Sequence, residues 1–154
     1  MDMIITINGK EETWTVQPGE TLLSVLRKRG YVGTKNGCDN GDCGACTVIL
    51  DGKAVKSCML LAVQASNRSL ETIEGLRKGD KLHPLQEAFI KTGAVQCGFC
   101  IPGMIMSAKA LLDKNPSPAD DEIKLALDGN LCRCTGYVKQ LEAVKIAAKE
   151  LRGE

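Results

Sequence analysis

The chain has 154 residues, 20 Lys and Arg against 19 Asp and Glu, a formal net charge of +1 and only 3% aromatic residues. Charges this balanced and interspersed leave no basic block for nucleic acid and no acidic tail for disorder, and the length allows one or two domains with small cores. The eight cysteines fall into two groups of four, which suggests two metal sites that supply the cross-links a small core lacks.

Met1 to Thr6 lacks a basic stretch followed by an apolar run, so it does not read as a signal peptide. No apolar run is long enough to span a bilayer. A cytoplasmic protein is expected, with its thiols reduced or ligated.

In chain order, Met3 to Asn8 reads as a strand with Ile5 and Ile7 on one face, and Asn8-Gly9 as a hairpin turn. Glu12 to Val16 returns, carrying Trp14. Thr21 caps a helix from Leu22 to about Arg29, with Leu22, Val25 and Leu26 as its apolar stripe and Gly30 as its stop. Thr47 to Leu50 and Lys53 to Ser57 form a second hairpin about Asp51-Gly52, and Ser69 to Thr72 a short further strand. Gly75 to Asp80 is polar and reads as a linker. Beyond it come four helices: His83-Pro84 to Lys91, Pro102 or Gly103 to Lys114, Ala119 to Asp128, and Val138 to Leu151. The predicted class is α+β, a β-grasp or ferredoxin-like domain over residues 1–76 and a four-helix bundle domain over 81–154.

Cys38, Cys43 and Cys46 stand at C-x4-C-x2-C spacing with Cys58 downstream, the plant-type ferredoxin pattern for a 2Fe–2S cluster. Gly41, Gly44 and Ala45 let backbone approach a bulky core, and inward N–H groups suit an anionic one. Zinc prefers two CxxC pairs, which this run is not. A disulfide framework needs an oxidising compartment that nothing here indicates.

The helical half carries Cys97-Gly98-Phe99-Cys100 and Cys132-Arg133-Cys134, each just before an expected helix N-terminus. Free N–H groups and the positive dipole end at such a terminus suit an anionic centre. On ligand preference, iron–sulfur and zinc both remain open for this set. A thioredoxin-type disulfide is disfavoured, because that motif follows a strand in a βαβ unit. His83, the single histidine, reads as a helix-start residue rather than a ligand. Arg133 reads as a docking or pairing residue, Met104 and Trp14 as core, and Tyr137 as helix-start packing or a neighbour of the electron path.

Gly33 to Cys38, Cys43 to Val48, Gln96 to Met104 and Gly129 to Tyr137 together resemble the signatures of the iron–sulfur small subunit of the xanthine oxidase, or molybdenum hydroxylase, family. Ile101 stands where that family often has Thr. The resemblance covers nearly the whole chain. It implies one 2Fe–2S cluster on Cys38, Cys43, Cys46 and Cys58, and a second on Cys97, Cys100, Cys132 and Cys134. It implies a large subunit whose molybdopterin touches Gln96 and Cys134, and a medium subunit carrying FAD. The expected role is a non-catalytic electron relay for hydroxylation of a purine or xanthine-like N-heterocycle or an aldehyde, with oxygen taken from water. Competing readings are the equivalent subunit of a carbon monoxide dehydrogenase or aromatic acyl-CoA reductase, a free-standing ferredoxin-like carrier, and a zinc-stabilised interaction protein.

Overall fold

A computed structural model describes residues 1–154. Five strands form one mixed sheet: β1 (Asp2–Ile7), β2 (Lys10–Thr15), β3 (Thr47–Leu50), β4 (Lys53–Lys56) and β5 (Ser69–Glu71), in the order β2-β1-β5-β3-β4. Only β1 and β5 run parallel; the other neighbours are antiparallel. Both hairpins turn where expected. Asn8 and Gly9 have φ of 49° and 79°, and Asp51 and Gly52 have 48° and 74°, the left-handed pairs that a two-residue turn matched to strand twist requires.

The helix α1 (Leu22–Lys28) begins at Thr21, whose hydroxyl accepts the Ser24 N–H at 3.2 Å. It packs on one face of the sheet with Met3, Ile5, Ile7, Trp14, Val48 and Leu50. The helices α2 (Pro84–Lys91), α3 (Ile101–Lys114), α4 (Asp120–Leu127) and α5 (Val138–Arg152) gather a second core. All four β3 residues are buried, because the strand is covered on both faces. Val48 and Leu50 point to the α1 side, while Ile49 joins the helical core. Each fully buried aliphatic side chain contributes roughly 1.5–3 kcal/mol, so one short strand ties the two layers together.

Three features differ from the sequence expectation. Turns of 3-10 helix occupy Ser57–Met59, Ala62–Ala65 and Ile73–Gly75; such short turns have no periodicity to read. The helix α3 starts at Ile101, one residue before Pro102, which takes a first-turn position where no N–H is needed. Leu76, inside the polar stretch read as a linker, is buried in the helical core. No helix is long and apolar enough to cross a membrane.

Candidate iron–sulfur centres

The first cysteine set lies on a loop between α1 and β3 and on the turn after β4. Positive φ at Asp39 (59°), Gly41 (87°) and Gly44 (70°) curls the loop. The Cys43 N–H points at Cys38 Sγ at 3.4 Å. N–H groups of Cys43 first, then Asn40, draw the Cys38 thiol down to about 7. Cys46 and Cys58 are buried behind Leu23 of α1. Ser57 joins them, its hydroxyl donating to the Cys46 carbonyl at 2.8 Å. Burial pushes the Cys58 thiol up to about 11. At Gly37 a Cβ would come within 2.8 Å of Cys43 Sγ and 3.4 Å of the Phe99 ring, so glycine there keeps the space beside the sulfur clear.

The second set comes from the loop before α3 and the loop between α4 and α5. Cys100 caps α3. Cys97 and Cys134 bring their sulfurs to 3.6 Å, and both residues are exposed. Cys132 Sγ accepts the Thr135 hydroxyl at 3.1 Å and the Cys134 N–H at 3.4 Å. Burial raises the Cys132 thiol, yet these donors outweigh it and bring the value down to about 7. Cys100 is pushed up to about 12, by burial first and by Cys132 second.

The chemistry of these donors fits a 2Fe–2S centre in both places. No three His, Cys, Asp or Glu side chains converge on one metal-ion position. A two-iron centre makes a different demand, spreading four thiolates over two irons. The N–H and hydroxyl donors around Cys38 and Cys132 stabilise negative sulfur, and iron, when bound, would displace the protons of the buried thiols.

All four cysteines of the second set line one cleft of about 760 Å³, and Cys43 is the one cysteine of the first set that lines it too, with Gly37, Ala45 and Phe99. Gln96 Nε2 donates to the Cys134 carbonyl at 3.1 Å, and both residues are exposed. His83 caps α2, its Nδ1 accepting the Leu85 N–H at 3.2 Å. Trp14 is fully buried.

Two contributions to the site escaped the sequence reading: the hydrogen bond between Tyr137 and the Cys132 backbone and the Asn130–Ser107 pair. The Tyr137 hydroxyl accepts the Cys132 N–H at 2.7 Å, from a residue held at φ 71° where a bulky side chain is strained. Asn130 and Ser107 are buried and meet at the junction of the loops, Ser107 Oγ to Asn130 Oδ1 at 2.7 Å. Nothing in local spacing marks that pair; only the signature run through Gly129-Asn130-Leu131 pointed at the region.

Residues 5–74 match the family model described as a 2Fe-2S iron-sulfur cluster binding domain, and residues 72–145 match that of a [2Fe-2S] binding domain. The nicotinate dehydrogenase small FeS subunit of Eubacterium barkeri is 49% identical over 94% of this chain and 93% of its own. The xanthine dehydrogenase iron-sulfur-binding subunit of Escherichia coli O157:H7 is 49% identical over 86% of this chain and 84% of its own. In solved structures, a chain of quinoline 2-oxidoreductase from Pseudomonas putida 86 superposes with a TM-score of 0.94 at 46% identity, covering 100% of this chain and 98% of that one. Fold, paired cysteine sets and these matches lead to one conclusion: the chain belongs to the family of 2Fe–2S small subunits of the molybdenum hydroxylases.

Proposed function

We propose that this chain is the electron-transfer subunit of a cytoplasmic molybdenum hydroxylase that acts on an N-heterocycle or an aldehyde. Its partners in this reading are a large subunit holding molybdopterin and a medium subunit holding FAD. Cys38, Cys43, Cys46 and Cys58 hold the first 2Fe–2S cluster, within a domain of residues 1–76. Cys97, Cys100, Cys132 and Cys134 hold the second, within a domain of residues 81–154. When bound, the clusters supply one-electron steps between a centre that releases two electrons and a flavin that accepts two.

The chain's own residues hold, insulate and orient. Leu23 covers Cys46 and Cys58, and the N–H donors around Cys38 and Cys132 favour the anionic state. The observation that carries the reading is the cleft in which Cys43 of the first set lines the same space as all four cysteines of the second. Exposure of Cys97 and Cys134 supports a covering partner, since a cluster there would otherwise stand open to water. Gln96, bonded to the Cys134 carbonyl, has an amide able to donate and accept at a pterin edge. The substrate classes rest on the nicotinate, xanthine, quinoline and aldehyde in the relatives' names.

Native purification tests the assignment. Co-elution with two larger chains, one carrying molybdenum and a pterin and the other FAD, is expected. A chain that elutes alone with its iron and still exchanges electrons with unrelated oxidoreductases would overturn it.

A further inference from the structure

Around Gly44, three backbones from distant parts of the chain converge. A Cβ on Gly44 would meet the Gly129 carbonyl at 2.1 Å, and one on Gly103 would meet the Gly44 carbonyl at 2.2 Å. The Leu131 N–H donates to the Cys43 carbonyl at 2.8 Å. Asn130 fills the remaining space. It is 2% exposed; its Oδ1 accepts the Ser107 hydroxyl at 2.7 Å, and its Nδ2 donates to the Gly44 carbonyl at 3.0 Å and reaches Thr47 Oγ1 at 3.4 Å. Thr47 in turn donates to the Gly44 carbonyl at 2.7 Å.

One carboxamide therefore joins the loop that carries Cys43 and Cys46, the strand β3, the helix α3 and the loop leading to Cys132. The join needs a donor and an acceptor on one short planar group. Gly44 adjoins Cys43, and Leu131 adjoins Cys132, so the cross-links lie one residue from a thiol of each set. Residues bonded this tightly in a buried network have one arrangement rather than many.

We infer that Asn130 is a positioning residue that fixes the separation and orientation of the two cluster-binding loops, and thereby sets how fast electrons exchange between them. This inference rests on the ligand sets proposed above. Asn130→Asp has the same shape but replaces the donor with a buried acceptor facing the Gly44 carbonyl. The purified complex carrying Asn130→Asp is expected to keep full iron content and the g-values of each reduced centre. The spin–spin broadening between the two centres in low-temperature EPR should shift, and electron exchange between them should slow. Full iron with unchanged broadening and rate overturns the inference. Should Asn130→Asp lose a cluster, Ser107→Ala decides by the same broadening: it removes the bond that orients the amide, a shift supports the inference, and wild-type broadening overturns it. A wild-type complex without two reduced centres overturns the ligand assignment instead.

Discussion

Replacing glycine by alanine inside a helix ordinarily stabilises it by about 1 kcal/mol. Gly103 lies inside α3 with an ordinary helical φ, yet its Cβ would fall 2.2 Å from the Gly44 carbonyl and 3.2 Å from Ala45 Cα. Both obstacles are backbone, fixed by the loop that carries Cys43 and Cys46, so neither can swing aside. Overpacking a tight site costs about 1–3 kcal/mol, and a contact this close belongs at the top of that range. Gly103→Ala is therefore expected to destabilise by a net ~2 kcal/mol, which for a chain of this size lowers Tm by about 4–8 °C. Gly129→Ala is the control at the same junction: its Cβ meets only the far end of the Lys56 side chain, at 3.4 Å and not backbone, and its effect should be small. The assay is thermal release of iron from the purified complex at one fixed heating rate, because such unfolding is irreversible. Gly103→Ala melting at or above the wild-type temperature would refute the close backbone approach that joins the two halves.

Three other outcomes are expected. Burial first, and the Lys109 charge second, hold His83 below the ordinary histidine pKa. Its neutral form caps α2, so this stability is present above the unfolded value of about 6.5 and is lost as pH falls through the folded one. His83→Asn keeps a cap without the titration, and denaturation followed from pH 7.5 down to 5 should lose that slope; an unchanged slope would assign it to other groups. Tyr137→Phe deprives the Cys132 N–H of its acceptor at a cost of about 1 kcal/mol, since water reaches the site. The second cluster's signal should then bleach first on oxidative challenge, with the first unaffected; equal loss of both counts against the assignment. Gln96→Ala should leave both clusters intact and slow their reduction by substrate, and unchanged turnover would remove Gln96 from the pterin contact.

Local chemistry was the readable part of this chain. Asn8-Gly9 and Asp51-Gly52 announce their hairpins because the turn's dihedral demand acts on two adjacent residues. The Thr21 cap and the cysteine spacings are equally local. What could not be read depends on partners far away in sequence. Gly103 looks like a weak point in a helix until Gly44 is set against it. Leu76 looks like part of a polar linker until the helical core covers it. Thr47, on a strand of apolar neighbours, gives no sign that its hydroxyl belongs to a polar junction 83 residues from Asn130. The grouping of cysteines into fours was legible, while the placing of Cys43 at the cleft of the second set required the packing of α3 on the sheet.

The measurement closest to the centre of the account is EPR of the dithionite-reduced complex carrying Cys43→Ser or Cys100→Ser. Two distinct 2Fe–2S signals are expected in the wild type, with Cys43→Ser removing one and Cys100→Ser the other. A wild-type sample with a single signal, or the same signal lost in both variants, would contradict two independently ligated centres.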